Sequence, residues 1–68
     1  MSITIIVNGE RQTVESGITL EKLLIQEAFH EKKIAVEVNE EIIPRRLYSI
    51  TILGENDSLE IVQAIGGG

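Results

Sequence analysis

The sequence ends on Gly66, Gly67 and Gly68, and this is where it offers chemistry. The three glycines follow the apolar run Leu59 to Ile65 with no polar spacer between them. Glycine lacks a Cβ, so an extended glycine segment can thread a narrow channel and bring the Gly68 carboxylate to a reactive centre where a side chain would clash. A carboxylate is a poor acyl electrophile. It reacts only after a partner has converted it to an acyl adenylate with ATP and Mg²⁺, and a sulfur nucleophile can then displace AMP to leave a thiocarboxylate. The chain would supply the reacting group in such a scheme, and the catalyst would come from elsewhere. Chain ends are usually frayed and inert; the direct junction of glycines with a strand-like run sets this one apart.

Little else in the chain can do chemistry. There is no cysteine, which removes disulfides, thiolate metal sites and cysteine nucleophiles. His30 is the sole histidine, with no second histidine or cysteine to complete a metal site, and it reads as a cation near a helix end. Glu40 and Glu41 fall in a turn and read as a solvated pair. Asn8-Gly9 lacks the further glycines and the lysine of a phosphate cradle. The expectation is a protein that is not an enzyme and binds no cofactor or metal, with ATP and Mg²⁺ used by a partner. Eleven acidic against six basic residues give a net charge of −5, which disfavours nucleic acid and anionic membranes and suits a basic protein surface. The start, Met1 to Val7, has no basic region, no small-residue cleavage site and too few apolar residues to cross a bilayer, so a cytoplasmic location is expected.

The body that must present the tail is small. At 68 residues it is one domain near the lower limit for a self-sufficient core. Phe29 and Tyr48 are the only aromatics, so branched aliphatic residues must fill that core, which favours sheet packing. Ile3 to Val7 is a β-branched run ending on Asn8-Gly9, the pair suited to a two-residue hairpin turn, with a polar edge strand returning through Glu10 to Val14. Ser16-Gly17 breaks that strand. Thr19 is placed to cap a helix, Ile18 and Leu23 are spaced as a hydrophobic staple, and Leu20, Leu23, Leu24 and Ala28 recur at helical spacing. Lys32 and Lys33, with His30, should lie near the helix's negative end.

Ile34 to Val38 reads as the next strand, with Ile34, Val36 and Val38 on one face. A turn at Asn39 to Glu41 leads to a short strand at Ile42 and Ile43 that Pro44 must end or confine to an edge. Arg45 to Tyr48 reads as an irregular or one-turn helical link, Ile50 to Leu53 as a brief extended piece, and Gly54 to Ser58 as a polar turn. Leu59 to Ile65 is the final strand. The pattern supports an α+β fold with one helix on one face of a mixed sheet of four or five strands. Residues 1–65 would form the domain and 66–68 a flexible glycine tail.

Val38-Asn39-Glu40-Glu41-Ile42-Ile43-Pro44-Arg45 resembles the Val-Asn, gap, Pro-Arg signature of the ThiS family, the sulfur carriers of thiamine biosynthesis. Asp57, Leu59-Glu60-Ile61-Val62, the final glycines, the opening Ile6-Val7-Asn8-Gly9-Glu10 and the helix from Thr19 to Leu24 fit as well. Two positions depart from the family pattern: Asn56 precedes Asp57 where glycine is usual, and Tyr48 stands where tryptophan is frequent. The resemblance implies a ubiquitin-like β-grasp fold with the first and last strands parallel and adjacent. It further implies that an E1-like enzyme adenylates Gly68, that a cysteine desulfurase relay brings sulfur, and that the thiocarboxylate feeds thiazole synthase. The free protein would be a monomer.

Pleat alternation puts Leu59 and Ile61 on one face of the last strand and Glu60, Val62 and Ala64 on the other. Val62, Ala64, Ile65 and Arg45 are therefore candidates for docking partners, beside Gly66 and Gly67 as the presented tail. Single exposed apolar residues and solvated arginines are common, so proximity to the tail is what singles these out. Other readings share parts of this pattern: a carrier for transfer RNA thiolation or molybdopterin formation, a protein modifier joined through Gly68, or a β-grasp binding module without tail chemistry.

Overall fold

The structure is a computed structural model that describes residues 1–29 and 33–63. Its first element is a hairpin of β1 (Ser2–Val7) and β2 (Glu10–Glu15), paired from Ser2↔Glu15 to Val7↔Glu10. Asn8 and Gly9 turn it with φ of 50° and 85°, the two left-handed positions that a type I′ turn demands and that this pair tolerates. Gly17, at φ 88°, then redirects the chain toward the helix.

Helix α1 (Leu20–Gln26) starts where the sequence indicates. The Lys22 backbone N–H donates to Thr19 Oγ1 at 3.1 Å, satisfying one of the orphan donors of the first turn. Ile18 before the cap and Leu23 after it are both buried, as a hydrophobic staple requires. The helix stops earlier than its apolar spacing suggests, so Ala28 is exposed and lies beyond it. Glu27 caps it, Ala28 adopts φ 64°, the Phe29 N–H donates to the Leu24 carbonyl at 2.8 Å and the Ala28 N–H to the Ile25 carbonyl at 3.1 Å. These are the two bonds of a Schellman ending, with alanine where glycine is usual. No basic residue occupies the last turn, which corrects the expected helix-end role of Lys33; His30 and Lys32 lie outside the described residues. The helix is closed by backbone geometry and by Phe29 packing against the core.

β3 (Ile34–Val38) and β4 (Glu41–Ile42) form a second tight hairpin, with Asn39 at φ 52° and Glu40 at φ 69°. Ile43 adds one more bond, its N–H to the Val36 carbonyl at 2.9 Å, before Pro44 ends the pairing. The link that follows is longer than expected: a 3₁₀ helix spans Arg45–Ile50 and buries Tyr48 at 8% exposure. Ile50 therefore belongs to that helix, and the extended piece shrinks to an isolated bridge between Ile52 and Thr19. β5 (Ser58–Gln63) begins one residue before the expected Leu59.

The sheet order is β2-β1-β5-β3-β4. β5 lies in the middle, parallel to β1 at Ile6↔Ser58 and Val7↔Leu59, and antiparallel to β3 from Ile34↔Gln63 to Val38↔Leu59. Ile5, Val7, Val36, Leu59 and Ile61 meet Leu20, Leu23 and Leu24 of the helix in one core. The chain's last strand is thus its central strand, anchored from both sides.

The left-handed alanine carries a measurable cost. An Ala28→Gly variant is expected to be more stable by about 1 kcal/mol, since glycine adopts that φ without the Cβ clash. Urea denaturation would check this; a destabilised variant would contradict the assigned helix ending.

Candidate functional site

β5 carries the site because it leads directly to the glycines. Leu59 and Ile61 are buried under the helix, at 1% and 6% exposure, while Val62 is 59% exposed on the opposite face. The alternation read from the sequence is the one observed. Pairing brings Ala35 opposite Val62 and Glu37 opposite Glu60, and Ile42 opposite Glu37 on the other side of β3. The open face therefore combines exposed Ala35, Ile42 and Val62 with two directly opposed glutamates. Like charges in that position destabilise a sheet. Beside them is a shallow groove of about 370 Å³ lined by Glu37, Asn39, Glu40, Ser58 and Glu60.

Arg45 begins the 3₁₀ helix and shares a cleft of about 340 Å³ with Lys33, Ile34, Ala35 and Val62. Two of the candidate docking residues, Val62 and Arg45, thus meet at one place. A smaller cleft of about 190 Å³ lies on the helix side of Arg45, between Leu24, Phe29, Ile34 and Tyr48 with Glu21 at its edge. Ala64, Ile65, Gly66, Gly67 and Gly68 lie outside the described residues.

The signature residues prove to be architectural. Asn39 Oδ1 accepts from the Ser58 N–H at 3.0 Å and its Nδ2 donates to Asp57 Oδ1 at 2.9 Å. Asp57 Oδ2 accepts from the Gly54 N–H at 2.7 Å, and the Asn39 N–H reaches the Ser58 carbonyl at 2.7 Å. Together they pin the entrance of β5 to the β3–β4 turn. Asn56, the departure from glycine, has φ 68°, a conformation asparagine accepts more readily than other side chains, which accounts for the exchange. Tyr48 at the other departure fills a buried position.

Sequence reading missed a second contact of this kind. Asn8, read only as a turn residue, has its side-chain amide bonded to both backbone groups of Ile61. Asn-Gly signals the turn, but nothing local signals a partner 53 residues away. Among the described residues there is no group of acidic residues or histidines placed to hold a metal ion, and no helix long and apolar enough to cross a membrane.

A mixed five-stranded sheet in this order, with one helix on one face and the last strand central, defines a ubiquitin-like β-grasp domain. Comparison with known proteins makes the assignment narrower. The ThiS family model matches residues 5–68, and the chain belongs to the ThiS family. It superposes on the crystal structure of a thiamine biosynthesis protein (ThiS) from Geobacter metallireducens with a TM-score of 0.79 at 28% identity, covering 97% of this chain and all of that one. It is 44% identical over 62 residues to a thiazole synthase of Magnetococcus marinus, matching 91% of this chain but spanning only 19% of that relative. An uncharacterized protein ycf40 of Porphyra purpurea is 34% identical over 67 residues, covering 98% of this chain and 94% of the relative.

If Asp57 is the keystone of the β5 entrance, Asp57→Ala should lower stability by about 1–2 kcal/mol, since two donors lose their acceptor. Val62→Ala, at an exposed position, should change it by less than about 0.5 kcal/mol. Equal effects in denaturant unfolding would contradict this division between architecture and surface.

Proposed function

We propose that this chain is a sulfur carrier of thiamine biosynthesis, working through the carboxylate of Gly68. An E1-like enzyme would join that carboxylate to the α-phosphorus of ATP, releasing pyrophosphate, with Mg²⁺ held by the enzyme. Sulfur at the hydrosulfide level, brought by a cysteine desulfurase relay, would attack the acyl carbon and expel AMP. The resulting thiocarboxylate would be consumed by thiazole synthase. In this scheme the chain is a protein co-substrate in the cytoplasm, monomeric when free, with no cofactor of its own.

The observation that carries the reading is the junction at β5. The sheet's central strand is anchored along both edges, and only five residues separate its last described residue, Gln63, from Gly68. Fully extended, such a segment reaches roughly 17 Å. A carboxylate at that distance from a rigid body can enter a partner's active site while the body docks outside it. Gly66 and Gly67 would pass through the partner's channel. The open face supports docking: Val62 and Arg45, with Ala64 and Ile65 next in sequence, would contact the partner, and Glu37 and Glu60 would favour a basic surface there.

Carriers for transfer RNA thiolation or molybdopterin formation would share all of this chemistry. The thiazole synthase relative, in which a segment like this chain belongs to a longer protein of that name, favours the thiamine acceptor. A protein modifier would also need Gly68, but would leave lysine conjugates.

The test is thiazole formation reconstituted with thiazole synthase, the E1-like enzyme, ATP and a sulfur donor. Deleting Gly68 should abolish product formation without altering the melting temperature. Val62→Arg should raise the KM for the carrier about tenfold, since it places a bulky cation in the docking face, again with unchanged stability. Full activity of the Gly68 deletion, or lysine conjugates in place of thiazole, would overturn the assignment.

A further inference from the structure

β1 runs out before β5 does. Their parallel ladder covers Ile6↔Ser58 and Val7↔Leu59, and then the chain turns away at Asn8 and Gly9. On this edge of β5 the backbone groups belong to alternate residues: the Ile6 N–H donates to the Asp57 carbonyl at 2.8 Å and the Asn8 N–H to the Leu59 carbonyl at 2.9 Å. The next pair on the same edge is the N–H and C=O of Ile61, and β1 has no residue left to meet them. The Asn8 side chain does so. Its Oδ1 accepts from the Ile61 N–H at 2.8 Å and its Nδ2 donates to the Ile61 carbonyl at 3.2 Å.

A carboxamide carries one donor and one acceptor in a plane, as a peptide group does, so Asn8 acts as one further residue of β1. Gly9 completes the turn without a side chain in the groove of about 680 Å³ that runs along β5 there, past Glu60, Val62 and Gln63. On the opposite edge, β3 holds β5 out to Gln63. Without the Asn8 amide, β5 beyond Leu59 would be held from the β3 edge alone, and its direction would widen.

We propose that Asn8 is a positioning residue for the chemistry at Gly68: its amide sets the last fixed point on the β1 side of β5 and so aims the seven residues, 62–68, that follow Ile61. The proposal rests on the carrier reading of Gly68. Its consequence is kinetic. A tail leaving the sheet in a narrow range of directions presents its carboxylate at high effective concentration, and a loosened exit spends fewer encounters in a reactive geometry.

Two variants separate this role from turn formation. Asn8→Gly keeps a residue at ease with positive φ and removes the amide. Asn8→Asp also suits the turn and retains an acceptor for the Ile61 N–H, but sets a carboxylate against the Ile61 carbonyl. Hydrogen exchange of the intact chain should show Ile61 protection in Asn8→Gly reduced about tenfold, with Val36 unchanged. Pyrophosphate release by the E1-like adenylating enzyme should show kcat for that variant reduced about tenfold and KM for the carrier within about twofold, because the docking face is intact. Asn8→Asp should fall between it and the wild type in both measurements. Retained Ile61 protection, an unchanged kcat, or a kcat loss that follows a lowered melting temperature would overturn the proposal. If the wild-type chain is itself inert with an enzyme that adenylates its own carrier, the carrier reading fails and the proposal with it. If the wild type reacts and Asn8→Gly reacts equally well, the proposal alone fails.

Discussion

The constraint on which this structure depends is that its last strand must be its middle strand. β5 pairs with β1 on one edge and β3 on the other, so the sheet cannot close until the chain is nearly complete. Closure then depends on contacts of high sequence separation, which cost loop entropy before they return any stabilisation. What they provide is a terminus that starts from the most firmly held part of the molecule. A tail leaving an edge strand or a surface helix would begin from a less certain position.

Both hairpin turns contribute to this anchoring in the same way. Asn8 and Asn39 each occupy the first left-handed position of a two-residue turn, and each directs its amide onto the backbone of β5. One contact lies at Ile61 on the β1 side, the other at Ser58 on the β3 side. A register slip of β5 by one residue would break both sets of bonds and move Leu59 and Ile61 from the core to the open face. The turns therefore do more than reverse the chain: they fix the register of the strand that carries the tail. The opposed Glu37 and Glu60 work against this stability on the open face, which is consistent with a surface shaped by partners more than by folding.

Much of this was legible in the residues. Asn8-Gly9 between β-branched runs marked the first hairpin, Thr19 marked the helix start, and alternation along Leu59 to Val62 separated buried from exposed positions. The helix end was not legible, because the residue at its left-handed position is Ala28 and carries no glycine signal. The 3₁₀ helix outran its expected span because burial of Tyr48, a tertiary effect, supports it. The acidic pair and the Asn8 amide contact were invisible for a different reason. Each depends on pairing between segments more than twenty residues apart, and no local spacing encodes which residues will meet. Family resemblance supplied the chemistry of the tail, while physical reading supplied only its access and its presentation.

The central claim is that Gly68 carries sulfur, and intact-mass measurement after incubation with the E1-like enzyme, ATP and a sulfur donor tests it most directly. The account predicts a mass increase equal to replacement of one oxygen by sulfur, located at Gly68 by fragmentation. An unchanged mass, with an enzyme that thiolates its own carrier under the same conditions, would contradict it.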